Sequence, residues 1–190
     1  RGVMFSEMLE FLAFLVDGEW RRFPLPRSEI RQVLATSRPF FGAGGLLALK
    51  GPSHTQYGAI LAIQEYPART CPGILNGLLQ VPYEIVISQS FTFQSKATTV
   101  RATRQQQGRM VNAGDLAGSQ VDEIGDALDD VVSNRYVMGA HSLSILIRAD
   151  SKGALQNYIT DAEPELYESG MSGVRADQGL AGAVWEEFAG

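Results

Sequence analysis

The sequence predicts an α+β fold: an antiparallel or mixed sheet, crossover helices packed mainly on one face in a split-βαβ-like arrangement, and an N-terminal helix. Three observations carry that prediction. In Glu84–Gln94, Ile85, Ile87, Phe91 and Phe93 fall on one side of a period-two alternation, with Val86, Ser88, Ser90 and Thr92 on the other. His141–Arg148 repeats the pattern, setting His141, Leu143, Ile145 and Ile147 against Ser142, Ser144 and Arg148. Between them, residues 96–135 are polar and helix-favouring. Strands with one apolar and one hydroxyl-rich face suit a sheet covered by helices on one side.

Taken in order, Phe5–Val16 reads as a helix. Phe5, Met8, Leu9, Leu12, Leu15 and Val16 make one stripe, and Phe11 and Phe14 fall off it, so more than half the girth is apolar. Asp17-Gly18 ends the helix. Pro24 and Pro26 hold a linker extended, Ser28 is placed to cap a short helix over Glu29–Thr36, and Phe40–Gly45 reads as loop. Strands at Leu46–Lys50 and Tyr57–Tyr66 flank the turn-rich Gly51-Pro52-Ser53-His54. A short helix follows Pro72 over Gly73–Gln80, and Pro82 breaks it.

In 96–135, Gly108, Gly114 and Gly118 weaken the middle, which predicts two helices or one bent near Asn112–Asp115. Ser151 caps a helix carrying Leu155, Tyr158, Ile159 and Ala162, and Pro164 is expected to kink or end it. A short strand near Met171–Val174 follows Gly170, and Asp177 opens a last helix with Leu180, Val184 and Phe188 aligned, Ala181 and Trp185 beside them. The order from residue 46 is ββαβααβαβα. The expected organisation is an apolar helix over 1–20, a linker with a short helix over 21–45, and an α+β domain over 46–190.

Composition bounds the function. At 190 residues and 45% hydrophobic, the chain can bury a real core. A formal charge of −5 argues against broad nucleic-acid binding. One cysteine, Cys71, forbids an internal disulfide and suits a reducing compartment. No apolar run approaches the ~20 residues of a membrane span. The chain opens on Arg1 rather than Met, as an excised piece would.

Few residues invite chemistry. Phosphate-binding loops need Gly-x4-Gly-Lys-Ser/Thr, and none of Lys50, Lys96 and Lys152 is preceded by Gly and followed by Ser or Thr. A metal site needs three or four ligands, whereas His54, His141 and Cys71 lie on separate elements. His141 is in phase with Leu143 and Ile145, which favours a hydrogen-bonded core or edge histidine. Cys71 at a helix start is a candidate nucleophile, though a buried or incidental thiol is the simpler reading. The glycines of FGAGGLLALKG (41–51) precede a strand rather than follow one, so they read as a turn. Lys96, Arg101, Arg104 and Arg109 give one helix a basic side without interleaved aromatics, which reads first as solvated surface. The acidic run Asp122–Asp130 reads the same way, with docking of a basic partner as its minority reading.

Four segments in order carry a resemblance. They are SEMLEFLAFLVDGE (6–19) with its proline-bearing link FPLP (23–26), VPYEIVISQSFTF (81–93), DEIGDALDDVVSNRYVMGAHSLSILI (122–147) and AVWEEFAG (183–190). Together they resemble the region upstream of the motor domain in type IV secretion and conjugative-transfer ATPases of the VirB, TrbE and CagE type. The last segment departs from the family in lacking a Gln-Leu-Pro ending. The resemblance implies a bacterial protein that is cytoplasmic and peripheral to the inner membrane. It implies inner-membrane secretion channel proteins and other copies of the ATPase as partners, and ATP and Mg bound beyond residue 190. For this stretch the expectation is an assembly domain with no catalytic, cofactor-binding or metal residues, docking through Phe11 and Phe14. The alternatives are a small hydrolase or transferase using His141 or Cys71, and a nucleic-acid or substrate module using Arg101, Arg104 and Arg109.

Overall fold

The computed structural model describes residues 3–112, 118–177, 179 and 182. It is a mixed α+β architecture with a six-stranded antiparallel sheet. The strands are β1 (Arg38–Gly42), β2 (Leu46–Lys50), β3 (Thr55–Glu65), β4 (Ile85–Phe93), β5 (Gly139–Ala149) and β6 (Ser172–Arg175). The helices are α1 (Glu7–Asp17), α2 (Asn76–Leu79), α3 (Lys96–Asn112), α4 (Gly118–Val132) and α5 (Lys152–Glu168). Spatial order is β1-β2-β3-β5-β4, with β6 also paired to β3. The start of β3 pairs with β2 (Leu47 opposite Gly58) and its end with β6 (Leu61 opposite Arg175). From residue 46 through β6 the order is the expected one.

Two compact units divide the chain. One comprises the residues up to Gln89 with those from Leu143 onward, and the other is Ser90–Ser142. In the first unit, odd-numbered positions of β3 and β5 (Ala59, Leu61, Ile63; Leu143, Ile145, Ile147) meet Leu155, Ile159, Ala162 and Leu166 of α5. The expected apolar face and its covering helix are therefore present. The opposite face is not simply solvated, because Leu47, Leu49, Ile60 and Leu146 form a second, smaller core there. Leu9, Ala13 and Phe23 make a third, with Leu12, Val33 and Leu34 against it.

α1 forms where its signals lie. The Ser6 hydroxyl accepts from the Leu9 amide, and Gly18, at φ 73°, closes the helix by donating to the Phe14 carbonyl. A Cβ at Gly18 would meet the ends of the Gln56 and Arg148 side chains and would be strained at this φ, so glycine suits the end of α1 here. The proline-bearing link then runs back along the helix start, pairing Phe5 with Pro24.

Several expectations need correction. Phe40–Gly45 is not all loop: Arg38–Gly42 is β1, paired on one side only, the kind of edge strand in which proline is tolerated. Ser28 caps nothing; the segment winds only a 3₁₀ turn, Ile30–Gln32, with no side-chain cap. α5 does not end at Pro164 but continues to Glu168. The proline is exposed, so its missing amide leaves only an outward-facing carbonyl for water, while Ala162 and Leu166 keep burying on the inner side. Residues 184–188, with Leu180 and Ala181, lie outside the described residues; Asp177 itself accepts from the Gly45 amide.

In the second unit, Ser95 caps α3, accepting from the Thr98 amide. α3 and α4 form a hairpin with Thr99 and Val131 buried. α4 ends at Val132, and Asn134, two residues on, turns the chain with a φ of 58° that asparagine tolerates. Among the described residues α3 ends at Asn112 and α4 begins at Gly118; residues 113–117, which include most of the expected bend, lie outside them. Gly139 admits no side chain, since a Cβ would lie 2.5 Å from both the Phe91 ring and the Thr92 carbonyl.

Candidate functional site

The outer face of α1 is one of the places where this fold leaves large apolar groups uncovered. Leu9 and Ala13, one turn apart, point inward; Met8 and Phe11 point away, 67% and 47% exposed. Phe5, Met8 and Leu15, expected on one inner stripe with Leu9, are not buried, because the narrow third core takes only the Leu9–Leu12–Ala13 arc. Phe11 and Phe14 lie outside the three cores. Both meet Trp20, itself 60% exposed: Phe14 stacks on the indole at 4.8 Å and 11°, and Phe11 tilts against it at 6.4 Å. Trp20 was not singled out by periodicity because it lies past the helix end.

Polar groups fix α1 from behind. Arg148, only 2% exposed, donates to the last-turn carbonyls of Phe14 (3.1 Å) and Leu15, so a cation sits at the helix C-terminus. The same guanidinium pairs with Glu84 at 2.8 Å. Burial raises the Glu84 carboxyl above its ordinary range; Arg148 opposes that rise but does not cancel it. Asp17, also buried, gathers the amides of Thr36 and Ser37, the Thr36 hydroxyl and Arg21. Sequence reasoning missed this set, since Arg148 falls in phase with Ser142 and Ser144 and read as solvated. The available signal was a charged pair at neighbouring strand ends: the Arg148 amide donates to the Glu84 carbonyl.

The residues considered for catalysis are not assembled. His54 sits in the β2–β3 turn beside the Ser53 hydroxyl (3.2 Å) and Glu19 (3.8 Å). Cys71 is exposed and lines a cleft with Glu165, Glu168 and Ser169 that contains no histidine. His141 is exposed on β5, outside the three cores; its ring lies 6.5 Å from Phe91. Among the described residues no three His, Cys, Asp or Glu side chains converge as metal ligands. Arg101, Arg104 and Arg109 are all exposed on α3, and Lys96 is tied to the Val132 carbonyl and Asn134 Oδ1. No helix among the described residues is long and apolar enough to cross a membrane.

Fold and surface thus define an α+β module of two units, marked by an exposed aromatic face rather than by a cluster of reactive side chains. The chain belongs to the CagE, TrbE, VirB family, a component of the type IV transporter system, whose pattern matches residues 1–190. It is 38% identical over 189 residues to the type IV secretion system protein virB4 of Bartonella quintana, covering 100% of this chain and 24% of that protein. Identity to the protein virB4 of Rhizobium radiobacter is 30% over 190 residues, again 100% of this chain and 24% of the relative. For the virB4 protein of Brucella melitensis it is 31% over 170 residues, 90% of this chain and 20% of the relative. The chain therefore spans about a quarter of the length of the relatives it matches.

Proposed function

We propose that this chain is a non-catalytic assembly region of a type IV secretion ATPase, docking the motor to inner-membrane channel proteins through the outer face of α1. The observation that carries the reading is the aromatic group of Phe11 and Phe14 on α1 with Trp20 just past its end, held outside the cores on a segment anchored from behind by Arg148 and Asp17. An anchored helix presents its aromatics with little ordering cost, which suits an interface centre. The parent's ATP and Mg site belongs to a motor domain outside this stretch, which itself holds no Gly-x4-Gly-Lys-Ser/Thr. In this reading the protein works peripherally at the inner membrane.

The test replaces Phe11 and Phe14 together with serine in the full-length parent. Melting of the variant should stay near that of the parent, while co-purification with its membrane partners falls by about tenfold or more. Partner recovery at the parent's level, or a large loss of stability, rejects the docking role.

A further inference from the structure

Within the second unit, α4 carries an acidic ridge that the α1 reading leaves unused. Glu123, Asp126, Ala127 and Asp130 follow the i, i+3/i+4, i+7 spacing that keeps them on one side of a helix, over about 10 Å. Past the helix end the chain doubles back, and the Arg135 and Tyr136 amides both donate to the Asp130 carbonyl. Tyr136, Val137 and Met138 thereby form the other wall of an open groove against that ridge. Tyr136 and Val137 are 64% and 66% exposed, and Val132 and Met138 are exposed as well. Apolar side chains gathered in the open along one groove mark an interaction surface. Of the carboxylates, Asp130 is answered within the chain by Arg135, at 2.5 Å. Glu123, Asp126 and Asp129 are exposed and have no ion pair among the described residues.

We propose that this groove takes a cationic amphipathic helix, the Lys/Arg-rich cytoplasmic flank of a membrane protein. Charge complementarity selects that occupant. The open carboxylates repel nucleic acid, phosphate and anionic lipid headgroups, and they favour Lys and Arg. A purely ionic partner would leave Tyr136 and Val137 uncovered, so the occupant brings apolar side chains beside its cations. A helix does both, with Lys or Arg at i and i+3 or i+4 on one side and aliphatic residues on the next. Met138, an unbranched and adaptable side chain, suits packing against such a surface. Membrane proteins concentrate Lys and Arg in the cytoplasmic segments beside their spans, and the choice of that source rests on the inner-membrane role proposed for α1. The α1 face itself takes no part, so the two contacts fail separately.

The test uses the full-length parent and a fluorescein-labelled peptide of about 15 residues, long enough for a helix, with Arg and Lys on one face and Leu on the other. Fluorescence anisotropy should report saturable binding that weakens as salt rises from about 0.05 to about 0.5 M. A scrambled peptide of the same composition should bind about tenfold or more weakly, because it cannot present both faces at once. Glu123→Lys with Asp126→Lys, and separately Tyr136→Ser with Val137→Ser, should each cost about tenfold or more. Should a reversal disturb the fold, Glu123→Gln with Asp126→Asn must weaken binding and flatten its salt dependence. Asp161→Lys with Glu163→Lys, at exposed carboxylates of α5, should change affinity by less than about twofold, which separates the groove from the general pull of an acidic chain. Phe11→Ser with Phe14→Ser should leave peptide binding at the parent's level, even where recovery of membrane partners is lost. Cytoplasmic flanks of the inner-membrane proteins of the parent's secretion system, made as peptides, should include one that displaces the probe. A scramble that binds equally, groove variants that bind like the parent, an equal loss from the α5 or α1 variant, or flanks that never displace the probe overturns the proposal.

Discussion

Arg148 and Glu84 form a pair in which burial and attraction pull opposite ways, and the direction of the Glu84 shift decides between them. Its carboxyl is raised, with desolvation the largest cause, so the ionised form is held less well in the fold than the protonated form. A carboxylate whose folded pKa lies above its unfolded value works against stability while ionised in both states. That penalty is relieved as pH falls through the folded pKa toward the unfolded one. Glu84→Gln imitates the protonated group and keeps a hydrogen-bonding oxygen for Arg148. It should be at least as stable as the parent at pH 7, with the difference shrinking as pH falls toward the ordinary carboxylate value. Urea melts at two pH values measure this, and marked destabilisation at pH 7 would mean that the attraction of Arg148 outweighs burial. Two isoleucines on the same sheet face separate more simply. Ile145 is fully buried, so Ile145→Ala should cost about 2–5 kcal/mol. Ile87 is only partly buried against that core, so Ile87→Ala should cost clearly less in the same melts.

At the scale of elements, Pro164 sits inside α5 on the exposed side. Its missing amide leaves the Thr160 carbonyl without an intrahelical donor, a defect that the fold tolerates because Ala162 and Leu166 are buried on the other side. Pro164→Ala restores that donor and should raise stability by about 1–3 kcal/mol, less any gain in unfolded-chain freedom. A lowered midpoint in thermal unfolding would show instead that the proline's fixed φ matters more than its lost bond. The same element shows why some of the fold was legible and some was not. Ser151, Leu155, Ile159 and Ala162 announce the helix through a cap and a period, both local properties of the chain. Its persistence past Pro164 depends on which side faces water, a tertiary fact. β1 was hidden for a related reason: Arg38-Pro39-Phe40-Phe41-Gly42 has poor strand chemistry and exists by pairing with β2. On α1, local patterning placed Phe11 and Phe14 off the core stripe. It could not show that Met8 also faces out, nor that Trp20 returns to stack on Phe14.

At the scale of the whole molecule, the three apolar cores draw their residues only from the stretch ending at Gln89 and the stretch beginning at Leu143. Beyond those points β4 and β5 change character. Phe91 and Phe93 continue the apolar phase of Ile85 and Ile87, yet Phe93 is 74% exposed and packs edge-on to Phe91 rather than in a core. Buried apolar area is the main favourable contribution to folding, and among the described residues these clusters belong to the first unit, with Val131 buried in the second. The ladder also permits the second unit to be cut out cleanly. Within the second unit Gln94 donates to the Met138 carbonyl, and that antiparallel register, continued along β4 and β5, sets Ser90 opposite Ser142 as a hydrogen-bonded pair. Such a pair is the one a two-residue turn closes, and Asn-Gly favours the required backbone. Replacing Phe91–His141 with Asn-Gly should therefore give a cooperatively folding chain whose unfolding free energy stays within about 1–2 kcal/mol of the parent, the scale of a surface and loop change. Because α1 and its anchors are untouched, the shortened chain should retain binding through the α1 face. If the shortened chain fails to fold, the first unit depends on the hairpin for more than chain connection, and its cores do not suffice on their own.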